Sequence, residues 1–426
     1  LFIETPLLSL HIGNGGSSIQ SASIIEKING NSTEFRHKGA WYAECSDNNF
    51  ITQESCKSYG NSWIRKPYDR ERAVSLLNGE CNPCLEIHND VVAFTHENTK
   101  RDANKTIVFS KNSDYGNDII KETIIYDDSY VVDHFFSGLN GLPDKSYSLI
   151  WSGGVLPSEE SVSKDLEFLS IFLEDGKSYK EEFLSGTESV GRTEQNIGWA
   201  GIRTKYFMKA ISNTNHESLK SNQVIFTYHN DTNNGWTENF VYSDIKFQYD
   251  NINDNLAVES YIGPIDTQYL SDDKTAHLEQ LFGYGWIFIG YLGKGIMWLL
   301  MSLHQLIPNY GVVCILFAVI IRLFTGPLTK KSFIANQKMQ AVQPKIKSLK
   351  EKYKDDKQKL SQATMALYKD EGVNPLGGCL PILIQMPLLI ALFQVFRKTI
   401  EFRGAEFLPF WITDLSQPDI IWAPNF

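Results

Sequence analysis

No two of the nine histidines stand at metal-ligand spacing, and no His-Glu-x-x-His occurs. That removes the zinc hydrolases built on such a helix. No basic stripe crosses the N-terminal part, and the net charge of −10 argues against nucleic acid as a partner. Gly13-Asn14-Gly15-Gly16 is glycine-rich, but no strand-to-helix pattern surrounds it, so it reads as a turn. The acidic pairs Glu159-Glu160 and Asp272-Asp273 read as solvated faces. No catalytic constellation emerges here, and neither a cofactor nor enzymatic activity is expected. Helical periodicity is scarce before residue 270, and charge is nearly missing from three later stretches.

The chain is two materials joined. A mean hydropathy of −0.24 over 426 residues averages a polar part ending near Asp273 with an apolar part beginning near Leu281. In the polar part, Ile119 to Tyr126 and Tyr130 to Phe136 are rich in β-branched and aromatic residues. Asp127-Asp128-Ser129 joins them as a hairpin. Val224 to Tyr228 and Ile245 to Tyr249 repeat the pattern. Many short strands separated by Asn, Gly and Asp clusters predict a β-sandwich. About 280 residues is enough for one such domain with its own core.

Six cysteines divide unevenly. Cys314 and Cys379 lie in apolar segments and read as small buried hydrophobes. Cys45, Cys56, Cys81 and Cys84 lie in the polar domain, where four cysteines permit three pairings. Cys45–Cys56 with Cys81–Cys84 is the simplest. Cys81-Asn82-Pro83-Cys84 also fits a redox dithiol or half of a zinc site, and the three readings stay open. A disulfide would favour an oxidising, extracytoplasmic compartment.

From Tyr284 to Ile307 the chain is apolar and aromatic with one charge, Lys294. It is long enough to span a bilayer, yet Trp286, Tyr291 and Trp298 also suit a helix lying in the headgroup boundary. The interfacial reading is preferred, because a span here would put the β domain on the side of the lysines that follow. Tyr310 to Leu328 reads as a transmembrane helix ending at Gly326-Pro327, about 28 Å long. Its lone charge, Arg322, costs roughly 2.5 to 3.5 kcal/mol at a span centre. Cys379 to Phe396 reads as a second span, uncharged, with Pro381 and Pro387 inside it and Gln385 and Gln394 preferring a protein or water-lined face.

Between the spans, Thr329 to Glu371 carries eleven lysines against five acids, a net of +6. The positive-inside rule places this loop in the cytoplasm. Val342, Ile346, Leu349 and Tyr353 step by four, three and four, and Leu360 and Leu367 continue an apolar face after Asp355-Asp356. The pattern predicts a helical hairpin with a basic outer surface. Lys345, Lys347, Lys350, Lys352, Lys354, Lys357 and Lys359 read as a topology signal and as a docking surface, two roles that can hold at once.

The residues Ile320-Ile321-Arg322, Gly326-Pro327-Leu328-Thr329-Lys330, Met339 to Pro344 (MQAVQP) and Asp355 to Leu360 (DDKQKL) form a dense, specific run. So do Ala366-Leu367-Tyr368, Gly372 to Pro387 (GVNPLGGCLPILIQMP) and Phe410 to Ser416. Over more than 100 residues this run resembles the YidC family of membrane protein insertases. Ile197 to Ile202, Lys205-Tyr206-Phe207 and Tyr261 to Pro264 resemble, more loosely, that family's large periplasmic domain. The stretch from Cys45 to Cys84 looks like an insertion without a match.

The resemblance implies a multidomain protein of the bacterial inner membrane. Residues 1–275 would be an all-β supersandwich of the mutarotase-like kind in the periplasm, and 276–309 an interfacial amphipathic helix. Residues 310–328 and 375–398 would be transmembrane helices, 329–374 the cytoplasmic basic hairpin, and 399–426 a periplasmic loop cut short. It also implies a hydrophilic groove with Arg322 as its positive charge and Gln385 on its wall. Nascent membrane proteins would be the substrates and the lipid bilayer the medium, with the Sec translocon and the ribosome as further partners. Residue position leaves a second role for Arg322, snorkelling to the cytoplasmic interface; the motif context points to the groove. The alternative function is a membrane-tethered carbohydrate-binding or mutarotase-like domain. The family core also uses an N-terminal anchor and three further spans after Trp422, so the sequence, which opens at Leu1 and closes at Phe426, reads as a piece of a longer protein.

Overall fold

The computed structural model describes residues 1–13, 18–26, 41–45, 63–67, 74–77, 81–142, 146–159, 165–174, 179–183, 192–194, 199–213, 223–231, 240–250, 255–270, 278, 287–354, 356–373, 380–408, 411–412 and 414–417. The chain divides into two compact units, Leu1–Leu281 and Phe282–Phe426.

The first unit is β-rich. Lys105–Asn112 and Ile119–Tyr126 bury alternate residues, as a half-covered pleated strand must. They pair antiparallel from Lys105↔Tyr126 to Asn112↔Ile119. The hairpin expected at Asp127-Asp128-Ser129 leads into Val131–Ser137, in register at Ile125↔Val132. Ser129 Oγ accepts the Val131 backbone N–H at 3.1 Å. The expected strands at 224–228 and 245–249 are the inner parts of Gln223–Asp231 and Phe240–Asp250, which pair along nine positions.

Among the described residues, a nine-stranded antiparallel sheet runs in the order Tyr179–Phe183, Ser170–Glu174, Trp199–Arg203, Phe207–Asn213, Leu256–Pro264, Val131–Ser137, Ile119–Tyr126, Lys105–Asn112, Thr95–Arg101. The unit's last strand, Leu256–Pro264, thus lies in the middle of the sheet and joins its two halves. A six-stranded sheet runs Arg192–Glu194, Gln223–Asp231, Phe240–Asp250, Ser146–Trp151, Cys84–Ile87, Asp90–Val91. A four-stranded and a two-stranded sheet complete the set. Trp151, Trp199, Tyr130, Phe94 and Phe136 are among the largest fully buried side chains.

One expectation about the surface is overturned. Glu159, expected in a solvated pair, is 5% exposed. It accepts the Ser158 hydroxyl at 3.2 Å. Beside it, buried Asp165 accepts the backbone N–H groups of Ser158 at 2.8 Å and Lys205 at 3.1 Å. These donors replace the water that the buried carboxylate has lost. Asp272 and Asp273 lie outside the described residues.

The second unit is helical: α1, Ile287–Leu306; α2, Tyr310–Lys352; α3, Lys357–Asp370; α4, Leu380–Lys398. Asn309 caps α2, its side-chain oxygen accepting the Val312 N–H at 3.0 Å and its amide donating to the Phe407 carbonyl at 3.1 Å. The expected stop at Gly326-Pro327 is not taken: α2 runs 43 residues through Pro327 and Pro344. A proline removes one ladder bond, and the remaining turns hold the helix together. On either side of Pro327, the hydroxyls of Thr325 and Thr329 donate to the carbonyls one turn back, each at 2.9 Å. At 1.5 Å per residue α2 is about 65 Å long, roughly twice a bilayer's hydrocarbon thickness.

Candidate functional site

The helical unit buries one side of the apolar half of α2. Tyr310, Val313 and Phe317 pack with Ile296, Met297 and Leu300 of α1, Ala391 and Val395 of α4, and Phe402. The other side stays open. Val312, Ile315, Val319 and Leu323, spaced three, four and four, are between 39 and 71% exposed. An apolar stripe of this kind is a liability in water and is at home among lipid tails. Among the described residues, Tyr310–Pro327 is the one helical stretch long and apolar enough to cross a membrane.

Arg322 lies one turn beyond Val319 on this open side and is exposed. Among the described residues it makes no hydrogen bond or ion pair. Gln385, on α4, is half-buried, and no hydrogen bond joins it to Arg322. The structure therefore keeps both residues in the same helical unit without bringing their polar groups into contact.

The basic half of α2 folds back through α3. Val342 and Ile346 are buried with Val373, and Met339, Leu367 and Tyr368 pack against them. Leu349, Tyr353 and Leu360 are half-buried. Asp356 caps α3, accepting the Lys359 N–H at 3.0 Å. Hydrogen bonds from the Lys359 backbone and side chain hold its carboxyl below the usual carboxylate value. Lys345 Nζ donates to Glu371 at 2.5 Å and ties α2 to the C-terminal end of α3. All seven lysines, Lys345, Lys347, Lys350, Lys352, Lys354, Lys357 and Lys359, are exposed. Because this seam is small, Ile346→Ala should cost it about 2 kcal/mol or more. Amide exchange should quicken through α3 and stay unchanged in α1; equal exchange in α3 would contradict the seam.

Sequence reasoning missed a polar knot at the head of α2. The Tyr310 hydroxyl donates to Glu401 at 2.6 Å, and its ring stacks on His304 with centroids 3.7 Å apart. Phe402 meets the same ring edge-on. Tyr310 was readable only as an aromatic beginning the span; its partner lies 91 residues away.

Two lysines of the β-rich unit were also passed over. Lys121 and Lys209 are each 1% exposed. Lys121 Nζ donates to the Pro83 carbonyl at 2.9 Å and lies over the Phe136 ring. Lys209 Nζ donates to the Ser152 carbonyl at 2.7 Å and lies over the Trp151 ring. Burial brings the Lys121 ammonium down to about 8, with Cys84 and Cys81 opposing the fall. Burial likewise holds Lys209 well below the lysine range and His134 well below its ordinary value. The signal for Lys121 was present: it shares the parity of Ile119 and Ile125 in an alternating strand, so the pattern that points them inward points it inward too.

The cysteine expectations separate. Cys56 lies outside the described residues, and Cys45 ends the strand Trp41–Cys45. Cys81 and Cys84 are thiols in this structure, half-buried and buried respectively. The Cys81 side chain hydrogen-bonds that of Cys84, which Ser18 also bonds.

Residues 86–299 match the YidC periplasmic domain family, and residues 302–425 match the 60Kd inner membrane protein family. A membrane protein insertase YidC from Prosthecochloris aestuarii is 35% identical over 307 residues, 69% of this chain and 50% of that protein. Another from Treponema pallidum is 33% identical over 294 residues, 66% of this chain and 46% of that protein. The chain spans about half the length of the curated relatives it matches. An α-N-acetylgalactosaminidase structure from Bifidobacterium bifidum aligns with 67% of this chain and 38% of its own at 11% identity and a TM-score of 0.36, too slight to bear on fold or activity. A β-rich first unit under the periplasmic-domain match, and a helical unit with an outward apolar stripe under the inner-membrane match, place the chain in the YidC family.

Proposed function

We propose that this chain belongs to a protein that inserts membrane proteins into the bacterial inner membrane and helps them fold, alone or beside the Sec translocon. The observation that carries the reading is Arg322, the single charge in the otherwise uncharged, outward-facing segment Tyr310–Pro327. A cation there costs about 3 kcal/mol against lipid, so its place is a wet cleft. In such a cleft of low dielectric it attracts acidic residues of a substrate segment on its way across. Gln385 would line the same groove from α4. Substrate spans would slide along the apolar stripe of α2, and the polar path would be shortened to less than a bilayer's thickness.

Topology follows from charge. The net +6 of Thr329–Glu371 puts the hairpin of α2 and α3 in the cytoplasm, where its lysine surface would meet the substrate, the ribosome or Sec components. Tyr310–Pro327 and α4 would return the chain to the periplasm. The β-rich unit would then lie on the periplasmic side, as a supersandwich assembled from its nine- and six-stranded sheets, with α1 along the interface. The tethered sugar-binding reading is not favoured: an anchor has no use for Arg322 or for a packed hairpin. A channel would need a ring of charges, and this segment supplies one.

The test is complementation with the full-length gene in cells depleted of their own insertase. The parent should restore growth and Arg322→Ala should lose it at equal expression. Rescue by both would reduce Arg322 to a snorkelling residue. Failure of a well-expressed parent, once host incompatibility is excluded with a chimeric core, would overturn the insertase reading.

A further inference from the structure

We propose that Cys81 and Cys84 form a reversible dithiol–disulfide couple in the β-rich unit, exchanging with a small disulfide that reaches Cys81 from solvent. The two residues frame the turn that enters the strand Cys84–Ile87. Cys81 is half-buried and Cys84 fully buried, so one sulfur is approachable and the other is reachable only through its neighbour. Their side chains hydrogen-bond each other, which makes the two sulfurs neighbours across the turn.

The turn is held from several sides. Ser152 Oγ accepts the Cys81 N–H at 3.1 Å, and the Ser152 N–H donates to the Cys81 carbonyl at 2.7 Å. Ile19 N–H donates to the Asn82 carbonyl at 3.0 Å. Lys121, from the nine-stranded sheet, donates to the Pro83 carbonyl and places a buried positive charge beside the pair. Burial alone would raise the Cys84 thiol; the Cys81 hydrogen bond, the Lys121 charge and the Ser18 hydrogen bond outweigh it and hold it below the ordinary thiol value. A thiolate is the species that attacks a disulfide.

The exchange proceeds in two displacements. Cys81, as thiolate, attacks one sulfur of glutathione disulfide; that S–S bond breaks, one glutathione thiolate leaves, and a mixed disulfide forms on Cys81. Cys84, as thiolate, then attacks the Cys81 sulfur, closing the Cys81–Cys84 bond and expelling the second glutathione thiolate. The protein dithiol gives up two electrons, the small disulfide takes them, and the two protons shed by the cysteines are taken up by the leaving thiolates. Lys121 acts as a positioning residue for the second displacement, stabilising the Cys84 thiolate.

The experiment equilibrates the purified full chain in detergent with glutathione buffers of graded oxidised-to-reduced ratio. Remaining thiols are trapped with an alkylating reagent, and the peptide spanning residues 81–84 is read by mass. The expected result is a two-electron transition in which both cysteines lose their alkyl labels together, reversed by excess reduced glutathione. Cys84→Ser should stop the reaction at the mixed disulfide on Cys81. Lys121→Met should slow closure by about threefold at pH 7, a roughly tenfold smaller thiolate fraction being partly offset by the greater nucleophilicity of a more basic thiolate, and should slow formation of the mixed disulfide less, because Cys84 feels the lysine charge more than Cys81 does. Both cysteines staying alkylated at every ratio would overturn the proposal. So would a bond that reduced glutathione cannot open in the folded chain, which would make it a fixed cross-link.

Discussion

Trp199→Ala should destabilise the β-rich unit by about 3–5 kcal/mol and lower its melting temperature by about 10 °C, given roughly 2–4 °C per kcal/mol for a unit of this size. The indole is 1% exposed. It opens the strand Trp199–Arg203, every residue of which is buried, and this strand is paired on both edges, Trp199 facing Glu174 on one side and Ser212 on the other. No edge is available to relax into the space the ring leaves, so most of the cavity penalty should persist. Two residues on, Gly201 shows how closely the layer is packed: a Cβ there would lie 2.2 Å from the Phe172 ring and 2.6 Å from the Lys209 carbonyl. Thermal proteolysis of the purified chain in detergent, followed at cleavage sites within residues 81–264, checks the value. A shift under 3 °C would mean that the site collapses around the smaller side chain.

That stretch also shows what a sequence yields and what it withholds. Trp199, Ala200 and Gly201 stood out as part of a family resemblance, but nothing local says that their strand is covered on both faces. Such strands lack the alternation that marks Ile119–Tyr126, whose limits were readable to the residue. The helical hairpin was legible because Val342 and Ile346 repeat at helical spacing. The unbroken passage of α2 through Pro327 was not, since a proline signals a stop until neighbouring turns carry the helix past it. For Arg322 the sequence supplied the anomaly, a charge in an apolar run, and the structure adds its side: the open one, with Val319 and Leu323. Lys121 was legible in principle through strand parity, and was missed because a lysine in a polar domain is ordinarily taken as exposed. Glu159 was missed for the same reason. Its neighbour Asp165 takes donors from Ser158 and Lys205, segments whose meeting no linear pattern announces.

The buried lysines reverse the usual alkaline behaviour of a protein. A lysine whose folded value is lowered to about 8 from 10.5 holds its proton less firmly in the folded than in the unfolded chain. Between those two values the unfolded state therefore binds more protons, and stability rises with pH. For Lys121 alone the rise from pH 8 to pH 10 should be about 2–3 kcal/mol, at about 1.4 kcal/mol per unit. Lys209, also lowered by burial, adds in the same direction, as does Cys84, held below its ordinary value. Tyr130, Tyr147 and Tyr261, all raised by burial, act oppositely. Their hydroxyls stay protonated in the fold where the unfolded chain would release them, so their contribution is lost only above about pH 10. The expected curve climbs from pH 8, flattens near 10 and falls beyond. Urea pulse proteolysis of the β-rich unit at pH 8, 9 and 10 reads it directly. Lys121→Met should remove roughly half of the climb, because it deletes one of the two buried ammonium groups, although Pro83 then loses the donor to its carbonyl. A flat or falling profile in the parent would mean that both ammonium groups reach water in the folded state, and that the charge beside Cys81 and Cys84 is screened.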